Sequence, residues 1–302
     1  MLYSPSRLKS ARACTRKFHY HYNCGYREVM KKPWLRIGSA VDDLLAIYDT
    51  EGFDVMMSKV NTFFTDPHER IIYKQLLIHY NEVFKEDVLP PVEINGCDGN
   101  QWHFNLPIDI EGVESDIRVQ GYLDKVSQID DRITVVERKT TSASISFVSE
   151  YWSTLGLDTQ IAGYAWALGK TLDHHVGLVV YEVLRKPYVP KIHRVKKVDT
   201  PYTLEEYEEK VIALLAKKPH VARKRIWFDT DAIEEWKYDV LATDDSIKTF
   251  ALNQKGFEGQ GLDGKYAWPR CQDGCSSFGG CVFLPVCSGQ VNIDSFDLVT
   301  KV

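Results

Sequence analysis

The chain has 302 residues, 37 Lys and Arg against 42 Asp and Glu, a net charge of −5, and 44% apolar and 26% charged residues. This is the make-up of an ordinary globular protein with enough chain to bury a sizeable core. It excludes a bilayer-spanning run and a secretory signal core, and it disfavours a protein that simply coats nucleic acid. A cytoplasmic protein is the expectation. In that compartment seven cysteines point to a metal site rather than a disulfide framework.

Residues 1–90 read as mostly helical; Ile72, Leu76, Tyr80, Val83 and Phe84 recur at helical spacing. Pro90-Pro91 marks a break, after which "IRVQGYLDKVSQI" and "ITVVERKTT" read as strands. "DTQIAGYAWALGKTL" predicts a helix and "HVGLVVYEVL" a buried strand. Thr203 and Glu206 then form a capping-box pattern before another helix. The last fifty residues are Gly-rich and predict irregular structure ending in "CQDGCSSFGGCVFLPVC". No Pro/Gly/Ser linker divides the chain, so one α/β or α+β domain over 1–302 is expected, its core wrapped by helical arms. Basic clusters at Arg16-Lys17, Lys31-Lys32, 194–197 and 217–225 read first as solvated faces.

The strand-rich centre carries the sharpest signal. If Asp130-Asp131 forms the turn of a hairpin, paired positions sum to 261 and Asp124 lies opposite Glu137. Opposed residues of an antiparallel pair share a face, and Lys139, two residues beyond Glu137, shares it too. Two carboxylates that close raise each other's pKa unless a cation sits between them. A hard divalent ion suits such oxygens; it lowers the pKa of a bound water and polarises a phosphoryl oxygen. Lys139 could then orient the water or stabilise charge on phosphorus. That is phosphodiester hydrolysis chemistry. The plainer alternative is a cross-strand salt bridge on a solvated face, but Leu123, Val126, Val135 and Val136 point to a buried hairpin whose charges need partners or a metal.

These residues resemble the PD-(D/E)XK nuclease superfamily and, within it, RecB-like and CRISPR-associated exonucleases of phage type. "GYLD" is similar to that family's G-x-x-D ending in Asp124, "ERKTT" to its D/E-x-K with Glu137 and Lys139, and "QIAGY" to its Q-x-x-x-Y with Gln160 and Tyr164. "IGSAVDDLL" resembles a helix motif in which Asp42 stands where relatives often carry a metal-binding His. The resemblance implies a restriction-endonuclease-like core, a central mixed sheet flanked by helices, with a helical N-terminal arm (1–90), a catalytic core (91–200) and a helical, Cys-stapled C-terminal segment (201–302). It implies a metal-dependent DNA exonuclease using Mg²⁺ or Mn²⁺, with Asp42, Asp124, Glu137 and the Arg138 carbonyl as metal ligands. It further implies that Lys139, Gln160 and Tyr164 serve catalysis, on single-stranded DNA or duplex ends. The plainer alternative for Asp42 is an exposed helix acid; its neighbour Asp43 points about 100° away on a helix. Tyr164 can also belong to the core stripe Ile161, Tyr164, Ala165, Leu168.

Many RecB-like nucleases hold a [4Fe-4S] cluster through one N-terminal and three C-terminal cysteines. On that resemblance Cys14, Cys281 and Cys287 are candidates, with Cys275 favoured over Cys271 as the fourth; zinc is the alternative, since four thiolates suit both. Tying Cys14 to the far end of the chain closes a long loop. Cys24 and Cys97 read as ordinary small buried residues. A different functional class stays open: a catalytically weak nucleic-acid-binding or assembly module that keeps the fold and the Cys staple.

Overall fold

The computed structural model of the protein describes residues 1–29, 32–195, 198–276 and 280–301. Lys31 and Lys196-Lys197, each part of a basic cluster, lie outside the described residues. Helices and mixed sheets divide between two compact units: Pro33–His103 with Tyr122–Thr230, and Met1–Lys32 with Phe104–Gly121 and Asp231–Val302. Among the described residues, no helix is long and apolar enough to cross a membrane.

The Pro33–Thr230 unit opens with three helices, α1 (Pro33–Glu51), α2 (Phe53–Phe63) and α3 (Pro67–Phe84). The last begins where the Asp66 side chain accepts the Glu69 N–H and Pro67 supplies a first-turn residue that needs no donor. Ile72, Leu76, Tyr80 and Phe84 are buried, as the spacing predicts; Val83 is not, at 44% exposed, because it lies at the edge of that stripe.

The sheet of this unit contains β1 (Lys125–Ile129), β2 (Arg132–Thr141), β3 (Leu178–Arg185) and β4 (Val221–Trp227) in the order β4-β3-β2-β1. β2 and β3 run parallel, and the two outer pairs are antiparallel. The crossover from β2 to β3 carries α4 (Glu150–Leu155) and α5 (Thr159–Leu172). The β1–β2 turn is Asp130-Asp131, with φ of +48° and +61°, the left-handed pair that a tight two-residue hairpin demands. Lys125 pairs with Val136 and Ile129 with Arg132, the register expected from the sequence. One strand expected over 117–129 is in fact two. Arg118–Tyr122 joins Leu2–Tyr3 and His103–Pro107 in a separate sheet, and the chain leaves the strand at Leu123-Asp124.

Between β3 and β4 lies α6 (Leu204–Leu215), started by the complete Thr203/Glu206 capping box. Successive strand residues alternate between faces. On one face of the sheet Leu184 and Val221 join Val41, Leu44, Leu45, Leu77 and Val211 of the helices in one core. On the other, the Tyr181 hydroxyl donates to the Leu155 carbonyl of α4.

The second unit begins with a helix over Pro5–Ala13, N-capped by Ser4; Cys14, in extended conformation, separates it from the helical turn Thr15–Phe18. A thirty-residue helix, Thr230–Gly259, runs well into the stretch expected to be irregular. Short turns follow, and Tyr26–Glu28 pairs with Val299–Lys301. Arg16 is not on a solvated face: it is buried, and its Nε donates to the carbonyl of the fully buried Trp268 at 2.6 Å. Cys97 is exposed rather than buried, because the Asn95-Gly96 turn, with both φ positive, leaves it on the outside of the unit that contains the main sheet.

Leu44→Ala should therefore cost roughly 2–5 kcal/mol in urea unfolding, the range for a large-to-small change in a closed core. Val83→Ala should stay within about 0.5 kcal/mol; equal losses for the two would contradict this assignment of the helical faces.

Candidate active site

The hairpin brings the predicted residues together. Asp124 sits at the strand break, so its side chain replaces a ladder partner, and Oδ2 accepts the Arg138 backbone N–H at 2.8 Å. Glu137 follows on the facing strand; it is 2% exposed and lies within the field of the Asp124 carboxyl. Lys139, two residues on and on the same face, forms an ion pair with Glu137 Oε1. The salt bridge anticipated as the plain alternative therefore exists, but its carboxylate is buried. Glu137 Oε2 is buried with no hydrogen-bond partner.

Asp42 comes from α1 and is half-buried, while Asp43 faces solvent. Burial, then the Asp124 charge, pushes the Asp42 carboxyl up to about 7, against the pull of Arg138 and Lys139. Burial and Asp124 push Glu137 up to about 8. Burial also raises Asp124, opposed by the Arg138 N–H and by Lys139. Lys139 is held above its ordinary value: burial alone would lower it, but Glu137 and Asp124 outweigh that. The causes are consistent. Asp42, Asp124 and Glu137 each lie within the field of the Lys139 ammonium, an excess of carboxyls that leaves a deficit of positive charge for protons or a cation to fill.

α5 supplies the remaining predicted pair. Asp158 caps the helix by accepting the Gln160 N–H, and Gln160 Nε2 donates to the Tyr164 hydroxyl at 2.7 Å. Tyr164 is buried among the expected core stripe, yet its phenol is raised by burial and by the charges of Glu137 and Asp124. The core-stripe reading of Tyr164 holds.

Several residues here escaped the sequence. The charge of Asp158 acts on Glu137 and Lys139; its place as N-cap of the Q-x-x-x-Y helix was the available signal. Tyr151 of α4 lies within the field of the same two residues. On the opposite face of the sheet, the Arg138 side chain donates to Asp49 at 2.6 Å and to Glu182 at 3.2 Å, and Lys125 donates to Asp49 at 3.0 Å. Arg223, part of a supposed solvated basic cluster, instead donates to Glu182 and Asp87. Lys125, Arg138 and Arg223 together hold Glu182 down to about 2, although burial alone would raise it.

A hard divalent ion fits this donor set: buried carboxyl oxygens, one of them without a partner, beside a charge deficit. Among the described residues, no three His, Cys, Asp or Glu side chains are gathered closely enough to hold an ion as they stand.

Elsewhere, in the second unit, burial raises the Cys281 thiol, and Cys275 and Cys14 add to it. Cys287 is raised by burial and by Cys281, Cys14 and Cys275. The four predicted cysteines thus share one neighbourhood. Cys271 meets Cys275 through its carbonyl, which accepts the Cys275 S–H at 3.4 Å.

The raised carboxyls give the metal-free protein a definite pH dependence. Glu137 and Asp42 hold protons in the folded state that they lose near 4.5 and 3.8 when unfolded. The stability this contributes is fully present below those values and is lost as the pH rises through about 7 to 8. The Tm of metal-free protein should fall between pH 6 and 9, and less steeply in Glu137→Gln. A Tm that rises over this interval, or an unchanged slope in the variant, would contradict the assignment.

The PD-(D/E)XK nuclease superfamily matches residues 3–234 of the chain. No curated protein matches it. Among solved structures, the chain is similar to a Eubacterium rectale protein provisionally named an exonuclease, at 13% identity and a TM-score of 0.41, over 81% of this chain and 79% of that one. It is also similar to SSO0001, at 12% identity and a TM-score of 0.27, over 71% and 73% of the two chains. Likenesses this remote bear no weight on activity. The family match spans most of the chain and takes in the Asp124 and Glu137–Lys139 hairpin and the Gln160–Tyr164 helix, and on it the chain belongs to the PD-(D/E)XK nuclease superfamily.

Proposed function

We propose that this chain is a metal-dependent DNA exonuclease of RecB-like type, acting in phage or bacterial DNA processing, with 1–302 forming one nuclease domain. The observation that carries the reading is the buried, partnerless Glu137 Oε2 beside Asp124 and Lys139, with Asp42 within the field of the same two residues. Asp42, Asp124 and Glu137, with the Arg138 carbonyl, would hold Mg²⁺ or Mn²⁺. Such an ion polarises a phosphoryl oxygen and makes a water a stronger nucleophile. Lys139, tethered between the carboxylates and solvent, would stabilise negative charge developing on the phosphoryl oxygens. Gln160 and Tyr164 fix each other by their hydrogen bond and would hold the strand backbone beside the carboxylates.

On linear single- and double-stranded DNA with Mn²⁺ or Mg²⁺, the wild type should release nucleotides from the ends. Lys139→Ala should lower the rate by roughly 10²–10³-fold, the scale for losing one charge-stabilising donor. If wild type and Lys139→Ala both bind DNA and neither cuts it, the enzyme reading fails and the nucleic-acid-binding module replaces it.

For the second unit the proposal is a [4Fe-4S] cluster on Cys14, Cys275, Cys281 and Cys287, with zinc as the alternative. Its support is the nearness of these cysteines: the Cys281 N–H donates to the Cys275 carbonyl at 3.1 Å, a Cβ on Gly274 would lie 3.4 Å from Cys14 Cβ, and Cys14 and Cys275 act on the Cys281 and Cys287 thiols; its role would be to tie the Pro5–Phe18 region to the C-terminal segment of that unit. Cys14→Ser should lose iron and visible absorption, and Cys271→Ser should keep both. Colourless wild type carrying stoichiometric zinc after anaerobic purification would overturn the iron assignment.

A further inference from the structure

The buried side chains on the opposite face of the sheet have no part in the chemistry above, yet they come from α1, β1 and β2, the elements that carry or adjoin Asp42, Asp124, Glu137 and Lys139. The Asp49 side chain is 1% exposed and uses both carboxylate oxygens: Oδ1 accepts from Lys125 and Oδ2 from Arg138. Lys125 follows Asp124 directly. Arg138 lies between Glu137 and Lys139, and its own backbone N–H holds the Asp124 carboxylate. One side chain therefore grips, from behind, the two strands that present Asp124 and Glu137.

The third carboxylate is on the same helix as Asp49. Asp42 and Asp49 are seven residues apart on α1, which places them within roughly 20° on one face and about 10 Å along the axis. α1 also lies against β2 nearer its N-terminus, where a Cβ on Gly38 would sit 3.6 Å from Thr140 Oγ1. The rotation of α1 about its axis, and with it the direction of Asp42, is set where Asp49 enters the sheet. Beyond Asp49 the network is closed: Arg138 is also held by Glu182, which accepts from Tyr80 and Arg223. Three cations, Lys125, Arg138 and Arg223, balance three anions, Asp49, Glu182 and Asp87. A closed, charge-balanced network resists sliding, because any shift leaves a buried ion without its partner.

We infer that Asp49 is a positioning residue that sets the cation affinity of the site by aligning Asp42 with Asp124 and Glu137. This rests on the nuclease reading above. The role is that of an outer partner that orients metal-holding groups without touching the ion, for which losses of 10–100-fold in affinity are typical.

A double-mutant cycle on the full chain tests it, with Mn²⁺ binding measured by calorimetry in the absence of DNA. Wild type, Asp49→Asn, Asp42→Asn and the double variant are compared, and melting curves establish that each is folded. Asp49→Asn should weaken Mn²⁺ binding by at least about tenfold in the wild-type background and by less than about twofold where Asp42 is already asparagine. A purely structural loosening would weaken binding by the same factor in both backgrounds, and that result, or no weakening at all, overturns the inference. Should Asp49→Asn fail to fold, Lys125→Met, which removes one of the two ties to Asp49, replaces it in the same cycle under the same criterion. If wild type itself takes up no Mn²⁺, the metal-dependent reading fails; if it binds and the losses are equal, only the inference about Asp49 fails.

Discussion

The arrangement depends on one buried joint, the Arg138 guanidinium between Asp49 and Glu182. Bringing an arginine into the interior is costly unless geometry and hydrogen bonds are nearly complete. Here both requirements are met. β3 supplies Glu182 at the register position directly beside Arg138, α1 supplies Asp49, and Tyr80 and Arg223 satisfy the outer side of Glu182. Because strand residues alternate between faces, fixing the Arg138 side chain on one side fixes Glu137 and Lys139 on the other.

The face that carries Glu137 and Lys139 has the opposite character. The network behind it is balanced in charge, whereas in front three carboxyls face one lysine. Burial raises Asp42, Asp124 and Glu137, and the Asp124 charge raises the other two further, so the folded protein keeps carboxyls in a state that favours uptake of a cation. A rigid, satisfied polar layer supports an unsatisfied one. That pairing is how a fold can tolerate a strained cluster of like charges at a functional site.

Much of this was legible in the sequence, for local reasons. The Asp130-Asp131 turn fixed the hairpin register, and the register put Asp124 across from Glu137 without any tertiary information. The α5 pair, the capping box at Thr203 and the core stripe of α3 follow from periodicity and cap chemistry. What escaped was non-local. Asp49 resembles any acid near the end of an amphipathic helix, Glu182 interrupts an apolar strand without explanation, and Arg223 sits in a run that composition assigns to solvent. Each gains meaning only from partners that lie 44 to 89 positions away in the chain for Arg138 and 41 for Arg223. The break at Leu123-Asp124 was hidden because β-branched and apolar residues flank it on both sides, and pattern alone cannot show a strand changing sheets. Cys97 was misplaced because a small thiol carries no signal about the turn beside it.

The central claim is that Asp42, Asp124 and Glu137 form a cation site built on the Arg138 joint. Anomalous diffraction from crystals soaked in Mn²⁺ tests it most directly. A manganese peak at about 2.0–2.3 Å from carboxylate oxygens of all three residues, with Glu137 turned away from Lys139, is the predicted result. A peak elsewhere, or none while Glu137 stays paired with Lys139 at saturating Mn²⁺, would contradict the account.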